Sequence, residues 1–200
     1  MKSTIPPEQS KQLQELKETQ EKLANQWIDY WNDYSSFDTW QFWFNVGMII
    51  IPLIFLYYFI DRKKAFQLGF YGFNIHIWTV YLDAIATRYN YLGYPYKAIP
   101  FLPINFGIDT SLVPVMFIFV YQWTMNKYKN FYLYTLFLIV FISFVFRPLS
   151  VEHNLLQLSK GVNYLHLFFG YIIIALISKW ITNLFQYLQI HSNRTKLEVE

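Results

Sequence analysis

Apolar residues gather in five long runs parted by short polar breaks, and one run carries its polar residues along a single face. The runs cover residues 40–60, 66–88, 109–125, 131–146 and 163–181. Each approaches the roughly 20 residues that a helix needs to cross a hydrocarbon core. The pattern predicts an all-α integral membrane protein with five transmembrane helices, preceded by an N-terminal amphipathic helix. Pro52 should kink the first span, and Asp61-Arg62-Lys63-Lys64 should end it. Asp109, Thr110 and Ser111 are N-cap residue types at the start of the third span, with Pro114 in its first turns. Arg147-Pro148 is expected to close the fourth span, with a polar loop over 149–160. Residues 89–110 contain Pro95, Pro100, Pro103, Gly93 and Gly107, which argue against another span. They read as an interfacial or re-entrant cap, resting on protein or at the headgroups, because lipid cannot satisfy irregular backbone.

The chain then divides into an extramembrane segment 1–39, a transmembrane domain 40–181 and a tail 182–200. In the first segment, Pro6-Pro7 precede a helical stretch over 8–38. Leu13, Leu16, Leu23, Trp27, Tyr30, Tyr34 and Phe37 recur at alternating steps of three and four, with Gln20 as a polar gap. That seam suits a short coiled coil, a helix lying on the membrane, or a helix packed on its own bundle. Residues 8–38 are therefore the expected surface for a protein partner or for self-association. The opening MKSTIPPEQSKQ lacks the apolar core of a signal peptide, so insertion is expected to rely on the first span.

Composition sharpens this picture. The chain is 54% hydrophobic and 22% aromatic, but only 14% charged. A soluble domain carries about 25% charged residues. A net charge of +3 without a basic stripe gives no nucleic-acid surface. The absence of Cys excludes disulfides and thiol chemistry. An excess of Lys over Arg, with abundant Ile, Asn, Tyr and Phe, is the bias of an AT-rich bacterial genome. The breaks after spans one and three hold Arg62, Lys63, Lys64, Lys127 and Lys129, and Lys179 lies towards the tail. The positive-inside rule puts these in the cytoplasm, with the N-terminus outside and the C-terminus inside the plasma membrane.

The polar row lies in the second run. Gly69, Gly72, His76, Thr79, Asp83, Thr87 and Asn90 fall on an arc roughly 80° wide at 100° per residue. Ionisable groups inside a bilayer are rare and tend to be functional. Gly69 and Gly72 should let another helix approach, and Gly170 should do so on the fifth span. Two readings stay open. In one, His76, Thr79 and Asp83 line a polar pocket opening outward, for a small ligand, a lipid headgroup, a cation or a proton relay. In the other, they hydrogen-bond Asn45, Gln122, Ser143 or Ser178 and tie helices together. Asp109, Arg147 and His166 are further pocket candidates, with an Asp83 or Asp109 pairing to Arg147. No HxxxH or HExxH spacing supports a metal. No nucleophile elbow, P-loop or dinucleotide fingerprint occurs, so no cofactor is expected.

Asp83, the Tyr94-Pro95 turn, Asn105, Asp109 and Thr110 with Pro114, and the Gly161-Val162-Asn163-Tyr164 run carry a resemblance. Over about residues 61–178 the chain resembles a family of small multi-pass membrane proteins of Bacillus, Clostridium and their relatives. The resemblance implies a bacterial plasma-membrane protein and no particular activity. Residues 1–39 lie outside it. The expected function is a non-enzymatic membrane component that binds a partner or ligand. The alternative is a small intramembrane enzyme or transporter handling a lipid or isoprenoid through the polar row of span two.

Overall fold

A computed structural model describes residues 5–197, with side chains to His191. The ends of the expected N-terminal segment and tail lie outside the described residues. The described residues are all-α, apart from one pair of two-residue strands. Helix α1, Pro7–Tyr34, starts with Pro7 in its first turn, where a missing N–H leaves no bond unmade. None of its residues is buried. Its C-terminal end is held by the segment that follows α3. Trp31 Nε1 donates to the Lys97 carbonyl at 2.8 Å, and the Lys97 N–H donates to Ser35 Oγ at 2.9 Å.

Helix α2, Trp40–Phe59, is capped by Thr39, whose hydroxyl accepts from the Phe42 N–H. Phe42, Asn45, Met48 and Pro52 are its buried residues, at steps of three and four that place them on one face. Pro52 withdraws the N–H that the Met48 carbonyl would use. Beside that gap, Ser111 Oγ donates to the Ile49 carbonyl at 2.8 Å. Helix α3, Ala65–Arg88, buries Leu68, Tyr71, Gly72, Ile75, Thr79 and Asp83. It lies mainly against α4, Val113–Asn126, and α7, Tyr164–Leu197. Helix α5, Phe131–Phe141, runs through a wide turn into α6, Arg147–Glu152.

Two such wide turns of π-helix occur, Ile108–Leu112 and Ile142–Phe146. The Val113 N–H bonds back to Ile108 and the Arg147 N–H to Ile142, five residues each way. Each turn ends two residues before a proline, Pro114 or Pro148. A proline has no N–H and displaces the carbonyl four residues back, and widening the turn lets the helix continue. Two expectations change as a result. Asp109, Thr110 and Ser111 are not caps; helical residues begin at Phe106, and Asn105 Oδ1 accepts from the Ile108 N–H at 3.1 Å. Nor does Arg147-Pro148 close its helix, which runs unbroken from Phe131 to Glu152 and shortens the expected loop.

Among the described residues, four helical stretches are long and apolar enough to cross a membrane: Trp40–Phe59, Ile108–Asn126, Phe131–Glu152 and Tyr164–His191. Helix α3 has the length, at 24 residues, but Gln67, Asn74, His76 and Asp83 dilute its hydropathy. At one end of the bundle, the Asp61 N–H donates to Gln122 Oε1 at 2.7 Å and Lys64 Nζ to Asn126 Oδ1 at 2.6 Å. These bonds join the α2–α3 and α4–α5 connections. At the other end, β1, Leu92–Gly93, pairs antiparallel with β2, Gln157–Leu158. Leu92, Tyr94 and Leu156 make a small core there, separate from the main one around Tyr71, Ile75, Phe117 and Ile142. Gly107 brings this cap close to α2: a Cβ would sit 2.7 Å from the Asn45 carbonyl oxygen, a backbone atom that cannot give way.

Candidate functional site

The two wide turns bring the charged residues together. Asp109 lies within the first and Arg147 directly follows the second. Arg147 Nη2 contacts Asp109 Oδ1 at 3.4 Å, with the two side chains 3% and 0% exposed. Tyr171 of α7 supplies a stronger bond, accepting from the same nitrogen at 2.6 Å and from Nε at 3.2 Å. Asp83 reaches this group from α3. Its Oδ1 accepts from the Tyr94 hydroxyl at 2.6 Å, and its carboxyl interacts with that of Asp109. Burial, with the Asp83 charge beside it, raises the Tyr94 phenol well above the ordinary tyrosine range, so it stays a neutral donor.

Bonds are missing as well as made. Asp83 Oδ2, Asp109 Oδ2 and Arg147 Nη1 are buried and have no hydrogen-bond partner among the described residues. All three side chains line one cavity of about 450 Å³. Its walls are Thr79, Leu82, Asp83 and Ala86 of α3, facing His166, Leu167, Gly170, Tyr171 and Ile174 of α7. Asp109 and Arg147 form the floor, while Tyr91, Leu92 and 160–162 close the cap side. Lys160 stands at the mouth, donating to the Tyr89 carbonyl at 2.5 Å with Tyr91 below its ammonium. The backbone of 160–161 has positive φ, 53° at Lys160 and 78° at Gly161, which turns the chain into α7. Leu82 and His166, on opposite walls, are exposed, so the cavity opens sideways between α3 and α7.

Of the residues singled out in the sequence, Thr79, Asp83, Asp109, Arg147, His166 and Gly170 surround this cavity. His166 is peripheral: its Nδ1 lies 2.8 Å from Asn163 Oδ1 in the turn before α7. His76 does not line the cavity. It is half-buried, and its Nδ1 has no partner among the described residues. The two glycines of α3 also differ. A Cβ on Gly72 would lie 2.2 Å from Ile118 Cδ1, whereas one on Gly69 would meet nothing within 4 Å. Gly69 is exposed and makes no close helix contact, and Gly170 borders open cavity instead of another helix. The reason is rotation. The buried face of α3 is turned about 50° from its polar row, and Gly72, Thr79 and Asp83 are the residues common to both.

The partners weighed for helix-to-helix bonding are engaged elsewhere or unmet. Asn45 Oδ1 accepts from Asn105 Nδ2 at 2.8 Å, and Gln122 caps the end of α2. Ser143 and Ser178 hydroxyls are buried with no partner among the described residues. Tyr94 stands out in the sequence only for its turn with Pro95, and Tyr171 escapes the reading, although a tyrosine in an apolar run needs a partner for its hydroxyl and so signals a polar neighbour. Among the described residues no cluster of three metal-ligating side chains occurs. No family model matches the chain, nor does any curated protein or solved structure.

Proposed function

We propose that the protein crosses the bacterial plasma membrane five times, α3 being the fifth span, and holds a small amphiphilic ligand between α3 and α7. The observation that carries this reading is the set of unmet atoms on Asp83, Asp109 and Arg147 around an apolar-walled cavity. A buried polar group without a partner costs about 1–3 kcal/mol, and more when charged. Side chains that merely tied helices together would satisfy one another. Here the unmet atoms are buried on residues that line one cavity, and Leu82, Ala86, Leu167 and Ile174 offer walls for an aliphatic stem. The Thr79 hydroxyl donates to the Ile75 carbonyl at 2.7 Å, which leaves it poorly placed as a nucleophile and favours binding over catalysis.

A fifth span is supported by the bonds joining Asp61 with Gln122 and Lys64 with Asn126. They put the start of α3 at the same end as the end of α4, so α3 runs the length of the neighbouring helices. The exposed seam of α1 is the surface for a protein partner or a second copy. The test of the binding reading is native mass spectrometry after mild extraction. Wild-type protein should carry a small amphiphile that is absent from Gly170→Leu, whose side chain would fill the cavity. Wild-type protein free of any bound small molecule counts against the reading.

A further inference from the structure

The charge count at the cavity floor defines what the ligand presents there. Two carboxyls, Asp83 and Asp109, face one guanidinium, Arg147. The guanidinium is already shared between Asp109 and Tyr171. Each carboxyl keeps one oxygen with no donor, and both side chains are more than nine-tenths buried. Two carboxylates beside one guanidinium leave one negative charge to be neutralised in a site that solvates it poorly, either by a proton held between the two interacting carboxyls or by a cationic group that takes its place. Arg147 Nη1 is also unmet, and an anionic head would satisfy it, but only by setting three negative groups against one positive. A neutral alcohol leaves the excess charge in place. A bare inorganic cation makes no use of Leu82, Ala86, Leu92, Val162, Leu167 and Ile174.

We infer that the ligand enters this cavity with a protonated primary amine, which sits between Asp83 and Asp109, and lays an aliphatic stem along α3 and α7. The inference rests on the binding reading above and names the chemical class of its ligand. An ammonium group has three N–H donors and no acceptor, which matches two facing carboxyls. The Tyr94 hydroxyl fixes one of them, since it bonds Asp83 Oδ1 and leaves Oδ2, buried beside the cavity, without a donor. Such a head arrives either on a membrane amphiphile or on a small free amine.

The experiment is thermal unfolding of the full chain in maltoside micelles with four probes: hexylamine, 1-hexanol, hexanoate and methylamine. Hexylamine should give a saturable rise in melting temperature. Its apparent affinity should exceed that of hexanol or hexanoate at least tenfold, and methylamine should be weaker than hexylamine by a similar factor. Asp83→Asn and Asp109→Asn, each keeping the side-chain shape, should each lower hexylamine affinity at least tenfold. Gly170→Leu blocks the cavity without touching a charge, and should abolish the response while melting normally without ligand. Hexanol or hexanoate matching hexylamine overturns the ammonium head and leaves the cavity as a binding site. Methylamine matching hexylamine overturns the aliphatic stem. No saturable response to any probe overturns the binding reading itself.

Discussion

Lys97 shows how one residue can hold an irregular segment in place. Its ammonium donates to the carbonyls of Leu102 and Pro103, at 3.0 and 3.2 Å, and lies 4.4 Å from the centre of the Trp27 ring. Its backbone joins Trp31 and Ser35 at the end of α1. One side chain thus ties the cap to itself and to the N-terminal helix. Burial lowers the Lys97 pKa to about 8. An unfolded lysine titrates near ~10.4. The folded protein therefore releases this proton first as pH rises, and between those values the unfolded chain binds more protons. Stability contributed by Lys97 is lowest below about pH 8 and increases above it. Melting temperatures at pH 7 and pH 9 test this. The wild-type protein should gain relative to Lys97→Met on going to pH 9, and an equal change in both proteins would remove Lys97 as the cause.

At the scale of the element, the rotation between the polar row and the buried face of α3 separates two glycines that look equivalent in sequence. Gly72→Ala drives a Cβ into Ile118 of α4, an overpacked contact worth about 1–3 kcal/mol of destabilisation. Gly69→Ala adds a methyl to open surface and removes glycine from a helix interior, a gain of up to about 1 kcal/mol. Melting of the two variants in the same detergent should move in opposite directions; a shared direction would place Gly69 in a contact. The same rotation limits what the sequence could tell. Periodicity finds the polar row, because composition along a helix is visible at 100° per residue. It cannot find which edge of that row faces protein, because that depends on where α4 and α7 lie. Asp109 was legible as a polar residue opening a helix and as a candidate partner of Arg147, but the turn that brings the two together was not. The wide turn that carries it inward to Arg147 is a response to Pro114, and sequence spacing alone reads the same residues as a cap. Tyr94 and Tyr171 reach the carboxyls and the guanidinium across the fold, at separations of 11 and 24 residues, which no local pattern encodes.

At the scale of the whole molecule, the fold changes which positive charges count towards orientation. Arg147 is buried beside Asp109 and Tyr171, and so cannot act as a surface cation on the cap side. Lys97 is buried in the cap as well. That leaves Arg88 and Lys160 exposed between helices at the cap end. The opposite end keeps Arg62, Lys63, Lys127 and Lys129 exposed, with Lys64 half-buried. Counted over the short connections between helices, leaving aside the lysines of α1, this asymmetry is the basis on which we propose that the α2–α3 and α4–α5 breaks face the cytoplasm and the cap, with α1, the outside. The absence of Cys makes the assignment directly measurable. Tyr128, 97% exposed, marks the α4–α5 break, and Phe101, 72% exposed, marks the cap; neither substitution alters a charge. In intact cells a membrane-impermeant maleimide should label Phe101→Cys, and should label Tyr128→Cys only after lysis. The reverse pattern would turn the molecule over. Labelling of both in intact cells would leave the chain between residues 101 and 128 uncrossed, and would take α4 out of the membrane. In the proposed orientation the mouth of the cavity, at Lys160 and His166, lies towards the outer headgroups, where the proposed amphiphile would slide in sideways with its head already close to Asp83.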